Sequence, residues 1–483
     1  MATSGSSTVG LDAVAIAEAI RARSLSPVEL VRETLERIAA LDEAINSFTV
    51  LFEDEALEAA RRAERAVLAG EDLGPLHGVP ISIKDVIWMR GAPATDGSLA
   101  LRDFVPDEDA ALVGRLRSAG AIVVGKTNNP ELCYAGITDN RVYGLTRNPW
   151  QLERTPGGSS GGAGASVACG LTPIAIGSDG GGSIRIPSSF CGVAGHKPSF
   201  GLVPQLPGFT GWKSLTVNGP LARSVRDLAL ALRVMAGPHP SDDLSLPALG
   251  VDYAAAAGEP GVEALRVAYS VDLGFAPVDP EVRRAFVRAI GSLEAAGWRL
   301  EQAHPATGDS TELWTLIAVC EGWASDRRLL AKGDDLLEPR TLEILKAGER
   351  YSAAEYLDAI EERARYARVW LEFFERFDLL LTPSMQMTAF PAGIPAPTEI
   401  DGRPIDPFFD DWCAFCYPAN LTRQPAASVP CGFDETGLPV GLQIMGRRFE
   451  DAQVLRAAAA WEEIAPWSGE WPPVVQAAGA APA

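Results

Sequence analysis

Two clusters of glycine and serine stand out in the first half of the sequence. They are residues 155–162 (TPGGSSGG) and residues 177–187 (GSDGGGSIRIP). The three glycines directly before Ser183 leave the backbone free to turn several amide groups toward one point. A developing oxyanion needs such amides, and the adjacent hydroxyl is a candidate nucleophile. The pattern indicates attack of a serine on a carbonyl, although a flexible glycine turn is an alternative that the cluster alone leaves open.

Lys84 is the candidate base for such a serine. It ends an alternating segment, residues 80–86 (PISIKDV). In a strand Lys84 shares a face with Ser82, whereas Asp85 faces the other way and is not its automatic partner. A lysine at the end of an apolar strand loses hydration, which favours a neutral amine, and lysine can replace histidine as the base. A solvated lysine at a strand end is the ordinary alternative.

Two other motif matches indicate different chemistry but lack the required context. Residues 120–127 (GAIVVGKT) have the Walker A spacing, but their middle is an apolar strand where a phosphate-cradling loop is needed. Residues 157–162 contain GxSxG in two frames, centred on Ser159 and on Ser160. A nucleophile elbow needs a strand before the serine, and the preceding segment is polar and broken by proline. Both interpretations are disfavoured.

The surrounding elements alternate between helices and short apolar strands. The pattern predicts helices over 11–22, from Ser26-Pro27 to about 41, and over 54–69, 110–118, 225–235, 279–297, much of 310–376 and 451–464; it predicts strands over 80–86, 121–124, 174–176, 265–269, 298–301, 379–381, 426–429 and 440–445. Gly- and Pro-rich loops are expected over the rest of 201–250 and over 383–407, with no fixed structure after 472. This alternation predicts an α/β fold.

Composition excludes several classes of protein. The chain has 483 residues with 47% hydrophobic and 22% charged residues, which suits a large globular core. Its net charge of −21 disfavours nucleic acid and an anionic membrane surface as partners. No stretch of 18 apolar residues occurs, and residues 1–10 do not resemble a signal peptide. Seven cysteines, with a lone CxxC at Cys413 and Cys416, indicate packing residues in a reducing cytoplasm.

The motifs taken together resemble the amidase signature family, serine hydrolases with a Ser–cis-Ser–Lys triad. The resemblance lies in both Gly/Ser clusters and in residues 74–85 (GPLHGVPISIKD), 125–131 (GKTNNPE), 144–150 (GLTRNPW), 190–198 (FCGVAGHKP) and 430–446 (PCGFDETGLPVGLQIMG). It implies a three-layer α/β/α sandwich around a large mixed β-sheet. It also implies one domain over 1–483: N-terminal helices (1–70), the signature core (74–200), variable segments that shape the pocket (201–250 and 305–410), and closing strands and helix (420–465).

The resemblance implies a role for each residue of the motif. Ser183 is expected to be the nucleophile, Ser159 the bridging serine on a cis peptide after Gly158, and Lys84 the final proton acceptor. The oxyanion hole is expected from the amides of Gly180, Gly181, Gly182 and Ser183, with Ser160, Asp179 and Arg185 in support. The family often has a bulkier residue at the position of Gly180, a departure that leaves the amide in place. Neither a metal nor a cofactor is expected.

Family members act on amides, and also on esters, ureas and carbamates. Residues 133–140, 209–212, 314–323 and 385–390 are expected to set selectivity, and the loop 383–407 to act as a lid or an open rim. Candidate pocket residues, each of which is also compatible with plain packing, are Tyr134, Gly136, Ile137, Phe209, Trp212 and Met387, together with Trp88. They predict a permissive hydrolase for small hydrophobic or aryl amides with ester and carbamate activity. The alternative is the glutamine-hydrolysing component of a tRNA-dependent amidotransferase. The oligomeric state is left open, a homodimer included.

Overall fold

The computed structural model describes residues 8, 10–259, 261–262, 264–406 and 411–480. Within them, eleven strands form one mixed sheet and two more form a short hairpin. The strands are β1 Phe48–Leu51, β2 Pro80–Lys84, β3 Ile122–Thr127, β4 Ile174–Asp179, β5 Ala194–Lys197, β6 Val217–Ala222, β7 Val267–Tyr269, β8 Leu300–Gln302, β9 Leu379–Pro383, β10 Glu399–Ile400, β11 Arg403–Pro404, β12 Ala426–Phe433 and β13 Pro439–Gly446. The order in the large sheet is β1-β3-β2-β4-β6-β5-β12-β13-β9-β7-β8, and β10 pairs with β11.

Helices cover both faces of this sheet. They are α1 Ala13–Arg21, α2 Pro27–Ile45, α3 Glu53–Ala69, α4 Ala111–Ser118, α5 Gly161–Ala168, α6 Arg185–Cys191, α7 Val225–Met235, α8 Tyr253–Gly258, α9 Pro280–Ala295, α10 Thr311–Asp326, α11 Pro339–Glu349, α12 Ala353–Arg376, α13 Tyr417–Leu421, α14 Asp451–Ile464 and α15 Pro473–Ala477. Short 3₁₀ turns lie at Leu99–Leu101, Glu131–Cys133, Arg327–Lys332, Asp334–Leu336 and Asp411–Cys413.

The start of each well-predicted helix follows from its capping residue. Ser26 accepts hydrogen bonds from the amides of Val28 and Glu29, and Pro27 takes the first helical position of α2. Asp279 caps α9 in the same way, before Pro280. These polar side chains satisfy amides that have no partner within the helix. The predicted helices therefore begin within two residues of the observed ones at both caps.

Opposite faces of the sheet pack against different helices. Ile81 and Ile83 of β2 join a cluster with side chains from α1, α4, α7 and α14. Val124 of β3 and Ala175 of β4 point to the other face, where they pack with α2, α3 and α5. Two helical layers around a mixed sheet confirm the predicted three-layer α/β/α sandwich. None of the described helices is long and apolar enough to cross a membrane.

The order of the central strands brings the candidate residues to one edge. β2 pairs in parallel with both β3 and β4, so the carboxyl ends of all three strands lie at the same side of the sheet. Lys84 ends β2 and Asp179 ends β4. The strand order therefore places Lys84 beside the start of the second Gly/Ser cluster.

Three sequence predictions were wrong. The hairpin of β10 and β11 lies within the loop expected over 383–407. β6 lies within residues expected to be irregular, and it pairs antiparallel with β4 over its whole length. The tail was expected to lack fixed structure after 472, yet it forms α15, in which Val475 is completely buried. The chain is held there because the guanidinium of Arg223 lies 3.8 Å from the centre of the Trp471 ring. Arg223 also donates hydrogen bonds to the carbonyls of Ser468 and Glu470. Residues 481–483 lie outside the described residues.

Candidate active site

Lys84 is buried at the end of β2 and binds two serine hydroxyls. Its Nζ lies 2.6 Å from Oγ of Ser159 and 2.9 Å from Oγ of Ser178. Asp85 faces away, as expected, and accepts a hydrogen bond from Thr95 Oγ1 at 2.9 Å. Among the described residues, no carboxylate is a direct hydrogen-bond partner of Lys84, and its nitrogen is aimed at a hydroxyl of the first Gly/Ser cluster.

Ser159 is positioned by a close approach of two loops. The Gly158–Ser159 peptide bond is cis, as the resemblance implies. A Cβ atom at Gly158 would lie 2.1 Å from the carbonyl oxygen of Ile137, so only glycine fits. Ser160 joins the clusters: its amide donates to the carbonyl of Ser183 at 3.1 Å, and its Oγ donates to the carbonyl of Ser178 at 3.2 Å. The two clusters that are separate in the sequence therefore form one structural unit.

Ser183 lies in the turn between β4 and α6, and Asp179 holds this turn. The Asp179 carboxylate accepts hydrogen bonds from the amides of Gly182 at 2.9 Å and Ile184 at 3.1 Å. Arg185 donates to both carboxylate oxygens, from Nε at 3.0 Å and from Nη2 at 2.8 Å. Burial raises the pKa of Asp179, but the charge and hydrogen bonds of Arg185 outweigh it and hold the pKa well below its usual range. Asp179 thus acts as a charged clamp, meaning that its carboxylate binds the backbone amides directly before and directly after Ser183.

The amides predicted to form an oxyanion hole are not equivalent. The Gly182 amide is engaged by Asp179, which removes it from the predicted set of free donors. The amides of Gly180, Gly181 and Ser183 donate no hydrogen bond to any described residue. A Cβ at Gly180 would lie 2.6 Å from the Trp212 ring, which explains the absence of the bulkier residue seen in the family. Trp314 fixes the same turn, since its Nε1 donates to the carbonyl of Gly180 at 2.9 Å.

Two cavities meet at Ser183. The first is lined by Cys133, Tyr134, Ala135, Gly136, Gly181, Ser183, Ile186, Trp212, Trp314, Thr315, Ala318, Val319, Ile344, Cys413 and Tyr417. The second is lined by Val86, Ile87, Trp88, Asp96, Ala110, Leu132, Cys133, Tyr134, Ser159, Ser178, Gly180, Ser183, Gln205, Pro207, Gly208, Phe209, Thr210, Gly211, Trp212, Thr216, Asn218 and Asp326. A carbonyl at Ser183 would therefore have space on two sides.

Four of the six predicted pocket residues line these cavities: Tyr134, Gly136, Phe209 and Trp212. The other two do not. Ile137 contributes its backbone to the contact with Gly158, and the Met387 side chain packs with the hydrophobic core around α12 and α13. The neighbouring segment 385–390 is buried in that core as well, so the loop 383–407 contributes no described residue to either lining.

Sequence reasoning missed several residues around the site. Ser178 lies inside the quoted motif, and the parallel pairing of β2 and β4 is the signal that could have placed it beside Lys84. Asn420 comes from α13 and donates to the Asp179 carboxylate at 3.0 Å, a contact across 241 residues that no local pattern indicates. Asp96 reads as a turn residue between Thr95 and Gly97, yet it lines the second cavity.

Known proteins are similar to this chain over most of its length. The sequence model of the Amidase family matches residues 29–455. An acylamidase from Rhodococcus erythropolis is 40% identical over 96% of this chain and 97% of its own. The A component of the Glutamyl-tRNA(Gln) amidotransferase from Moorella thermoacetica is 37% identical over 94% of this chain and 96% of its own.

A solved structure shares the whole architecture. It is a bacterial aryl acylamidase of the amidase signature family, with a TM-score of 0.89 and 31% identity over 95% of this chain and 97% of that chain. The motifs, the sheet and these likenesses extend over nearly the full length of the sequence. The chain belongs to the Amidase family of amidase signature enzymes.

Proposed function

We propose that the chain hydrolyses carboxylic amides with hydrophobic or aryl groups, through an acyl-enzyme on Ser183. The observation that carries the proposal is the contact of Lys84 Nζ with Ser159 Oγ at 2.6 Å, in a buried site that opens on Ser183. A neutral lysine there can take the proton of Ser159, which in turn takes the proton of Ser183. The relay gives a serine hydroxyl the base that it needs for attack on a carbonyl.

The same relay then runs in reverse. The attacked carbonyl becomes an oxyanion, and the amides of Gly180, Gly181 and Ser183, which have no acceptor among the described residues, are available to bind it; one such donor typically contributes about 10²–10³ in rate. Ser159 returns the proton to the leaving nitrogen, the amine departs and the acyl group stays on Ser183. Water then attacks the acyl-enzyme, with the relay again acting as base. Because esters and carbamates form comparable tetrahedral intermediates, they are expected as additional substrates.

The first cavity supports an apolar acyl group. Ile186, Ala318, Val319 and Ile344 line it together with the ring of Trp314. Apolar burial contributes about 25 cal/mol per Å², so a hydrophobic acyl chain gains affinity there without specific polar contacts. The similarity to an acylamidase and to an aryl acylamidase points to the same substrate class.

Glutamine hydrolysis is the alternative, because an amidotransferase component is almost as similar in sequence. Free glutamine carries an α-carboxylate, and a buried carboxylate needs a cationic or multiply donating partner. None of the described residues that line the two cavities is lysine or arginine, and two are aspartates, Asp96 and Asp326. The absence of a cation among these residues favours the free amidase.

The test uses the purified chain with four substrates: an aryl p-nitroanilide, an ester and a carbamate with a common acyl group where the chemistry allows it, and glutamine. We expect cleavage of the first three and none of glutamine. Ser183→Ala should abolish turnover, and Ser159→Ala should lower it by orders of magnitude. Ser166→Ala in α5, whose Oγ only donates to a carbonyl of its own helix, is the matched control.

Three results would contradict the proposal. Activity retained in Ser183→Ala would exclude Ser183 as the nucleophile. Activity that survives there but is lost with Ser159→Ala or Ser160→Ala would favour the GxSxG interpretation. Turnover of glutamine alone, and only with added partner proteins, would assign the chain to the amidotransferase class.

A further inference from the structure

The two cavities differ in their access to the proton relay. Both contain Ser183 and Tyr134, but Ser159 lines only the second. In the proposed mechanism Ser159 gives its proton to the leaving nitrogen, so that nitrogen must lie on the side of Ser159. The amine half of the substrate therefore belongs in the second cavity and the acyl half in the first.

Aromatic side chains form the walls of the second cavity. The rings of Trp88 and Phe209 meet edge to face with centroids 5.5 Å apart. Trp212 stacks on Tyr134 at a centroid distance of 5.2 Å, and the Tyr134 hydroxyl donates to Asp326. Flat apolar walls of this kind suit a planar aryl amine.

Several polar atoms of the residues that line this cavity have no partner among the described residues. Trp88 Nε1 and Trp212 Nε1 are two of them, and both are enclosed. The carboxyl group of Asp96 supplies a third. The carboxyl group of Asp96 is deeply buried, because only 5% of the residue is exposed. Its Oδ1 accepts hydrogen bonds from Asn129 Nδ2 at 3.1 Å and from Cys133 Sγ at 3.2 Å. Its Oδ2 accepts none from any described residue, and it is not one of the side-chain atoms that lack both a partner and accessible surface. Oδ2 therefore keeps some accessible surface, and the open space beside Asp96 is the second cavity.

The backbone around this group is unusual as well. Asp96, Leu132 and Cys133 all have positive φ, at +47°, +50° and +59°. The two segments are joined by a hydrogen bond from the Leu132 amide to the Asp96 carbonyl at 2.8 Å. Non-glycine residues in this conformation cluster at functional sites, where the surrounding structure holds them. Here residues on both sides of the contact between Asp96 and Cys133 adopt it.

The ionisation of Asp96 decides what its free oxygen can do. Burial raises its pKa to about 8, from an ordinary 3.8. Of the titratable groups around it, Cys133 and Lys84 lower its pKa, and Asp326 and Asp85 raise it. Lys126 and Tyr134 also interact electrostatically with Asp96. At neutral pH the group is a carboxylic acid, and because Oδ1 already accepts two hydrogen bonds, its proton lies on Oδ2. This oxygen is therefore a hydrogen-bond donor.

We propose that the second cavity binds the aryl amine leaving group and that Oδ2 of Asp96 donates a hydrogen bond to an acceptor substituent on that ring. The inference rests on the proposed function and adds to it the class of amine: anilides whose ring carries an uncharged acceptor such as an ether oxygen. Anilides with an anionic substituent are expected to be poor substrates, since no described lysine or arginine lines this cavity to bind the charge.

The test compares two anilides with the same acyl group and nearly the same shape, one with a para-methoxy and one with a para-ethyl substituent. The measured quantity is the ratio of their kcat/KM values. A neutral hydrogen bond between uncharged partners corresponds to a ratio of about threefold to tenfold in favour of methoxy. Asp96→Ala should lose the part of this preference that comes from the hydrogen bond. The kcat/KM ratio that remains in this variant measures the intrinsic difference in reactivity between the two anilides.

Asp96→Asn and pH provide a second readout. The Asn oxygen can accept the bonds from Asn129 and Cys133, which directs its NH₂ group into the cavity as a donor. In the wild type, the preference should fall as the pH rises through about 8, because the proton on Oδ2 is lost. The Asn variant should keep its preference across that range. Asp227→Asn, which removes another buried carboxyl whose pKa is raised to about 8, is the control and should keep the wild-type ratio at every pH.

The outcomes separate the two proposals. An unchanged methoxy-to-ethyl ratio in Asp96→Ala, or a wild-type ratio that does not change with pH, overturns the role of Asp96 and leaves the amidase proposal standing. Failure of the wild type to cleave any anilide, with other hydrophobic amides still cleaved, overturns the assignment of the second cavity, and failure to cleave any amide overturns both proposals. If Asp96→Ala does not fold, the comparison of wild type with Asp96→Asn across pH still decides.

Discussion

Replacing Asp179 by asparagine is the perturbation that tests the turn around Ser183 most directly. The substitution keeps the shape of the side chain and removes its charge. Arg185, which is completely buried, then loses its carboxylate partner. Its guanidinium keeps only neutral partners, namely the carbonyl of Cys416 and the side chains of Gln443 and Asn420.

The magnitude follows from the hydrogen bonds. Oδ1 of Asp179 accepts from Gly182 N, Arg185 Nη2 and Asn420 Nδ2, and Oδ2 accepts from Ile184 N and Arg185 Nε. An asparagine keeps one acceptor oxygen, so at least two of the five bonds are replaced by contacts between donors. Hydrogen bonds to charged groups contribute about 1.5–3 kcal/mol each. Breaking one side of a buried ion pair costs about 3–5 kcal/mol, and we expect a loss of unfolding free energy in this range.

The assay is urea denaturation followed by tryptophan fluorescence, with p-nitroanilide turnover measured on the folded fraction. The amide of either Gly182 or Ile184, whichever faces the new NH₂ group, loses its acceptor next to Ser183, so kcat should fall by at least tenfold. The double variant Asp179→Asn, Arg185→Met removes the unpaired cation and should be more stable than the sum of the single effects, with a coupling of about 3 kcal/mol. A loss below about 1 kcal/mol with unchanged kcat would refute the clamp.

Three further predictions concern the same site. Ser178→Ala removes one of the two hydroxyls bound to Lys84 and should lower kcat about tenfold with little change in KM, as measured by steady-state kinetics; an unchanged kcat would remove Ser178 from the site. Gly181→Ala places a Cβ 2.5 Å from the Trp314 ring and should lower kcat by about 10² or more. Stopped-flow kinetics should show that the acylation step is slowed; a normal acylation rate would show that the turn can adapt. Asp96→Asn should become more stable relative to the wild type between pH 4 and 8. Because the pKa of Asp96 is raised to about 8 in the folded protein, its protonated form stabilises the wild type fully below about pH 4, and this contribution is lost as the pH rises toward 8. A difference in Tm between the two proteins that stays constant across this range would contradict the prediction.

Local signals were sufficient to predict the elements whose causes are local. Ser26 and Asp279 each precede a proline and an apolar periodic segment, and both cap helices. The alternating segment at 80–86 gave β2, and its face assignment correctly separated Lys84 from Asp85. In these cases hydrophobic spacing and the end of the helix or strand decide the structure without help from distant residues.

Tertiary contacts decided the elements that local signals missed. Residues 217–222 (VNGPLA) contain an Asn-Gly-Pro run typical of a turn, yet pairing with β4 makes them a central strand. Asp96 likewise reads as a turn residue, and only the fold brings it to Cys133. The side chain of Asn420 reaches Asp179 across 241 residues, a separation over which neither periodicity nor a short motif carries information.

The contact of Trp314 with the turn before Ser183 has a consequence for the evolution of new substrate ranges. The same indole lines the first cavity, leaves no room for a side chain at Gly181 and donates to the carbonyl of Gly180. A mutation of Trp314 that enlarges the first cavity would also remove a contact of the turn before Ser183. If this cavity binds the acyl group as proposed, a variant that accepts bulkier acids at this position should have a lower turnover. Trp88 and Phe209 instead pack on each other and on Phe104, and directed evolution should change the amine half of the substrate more readily than the acid half.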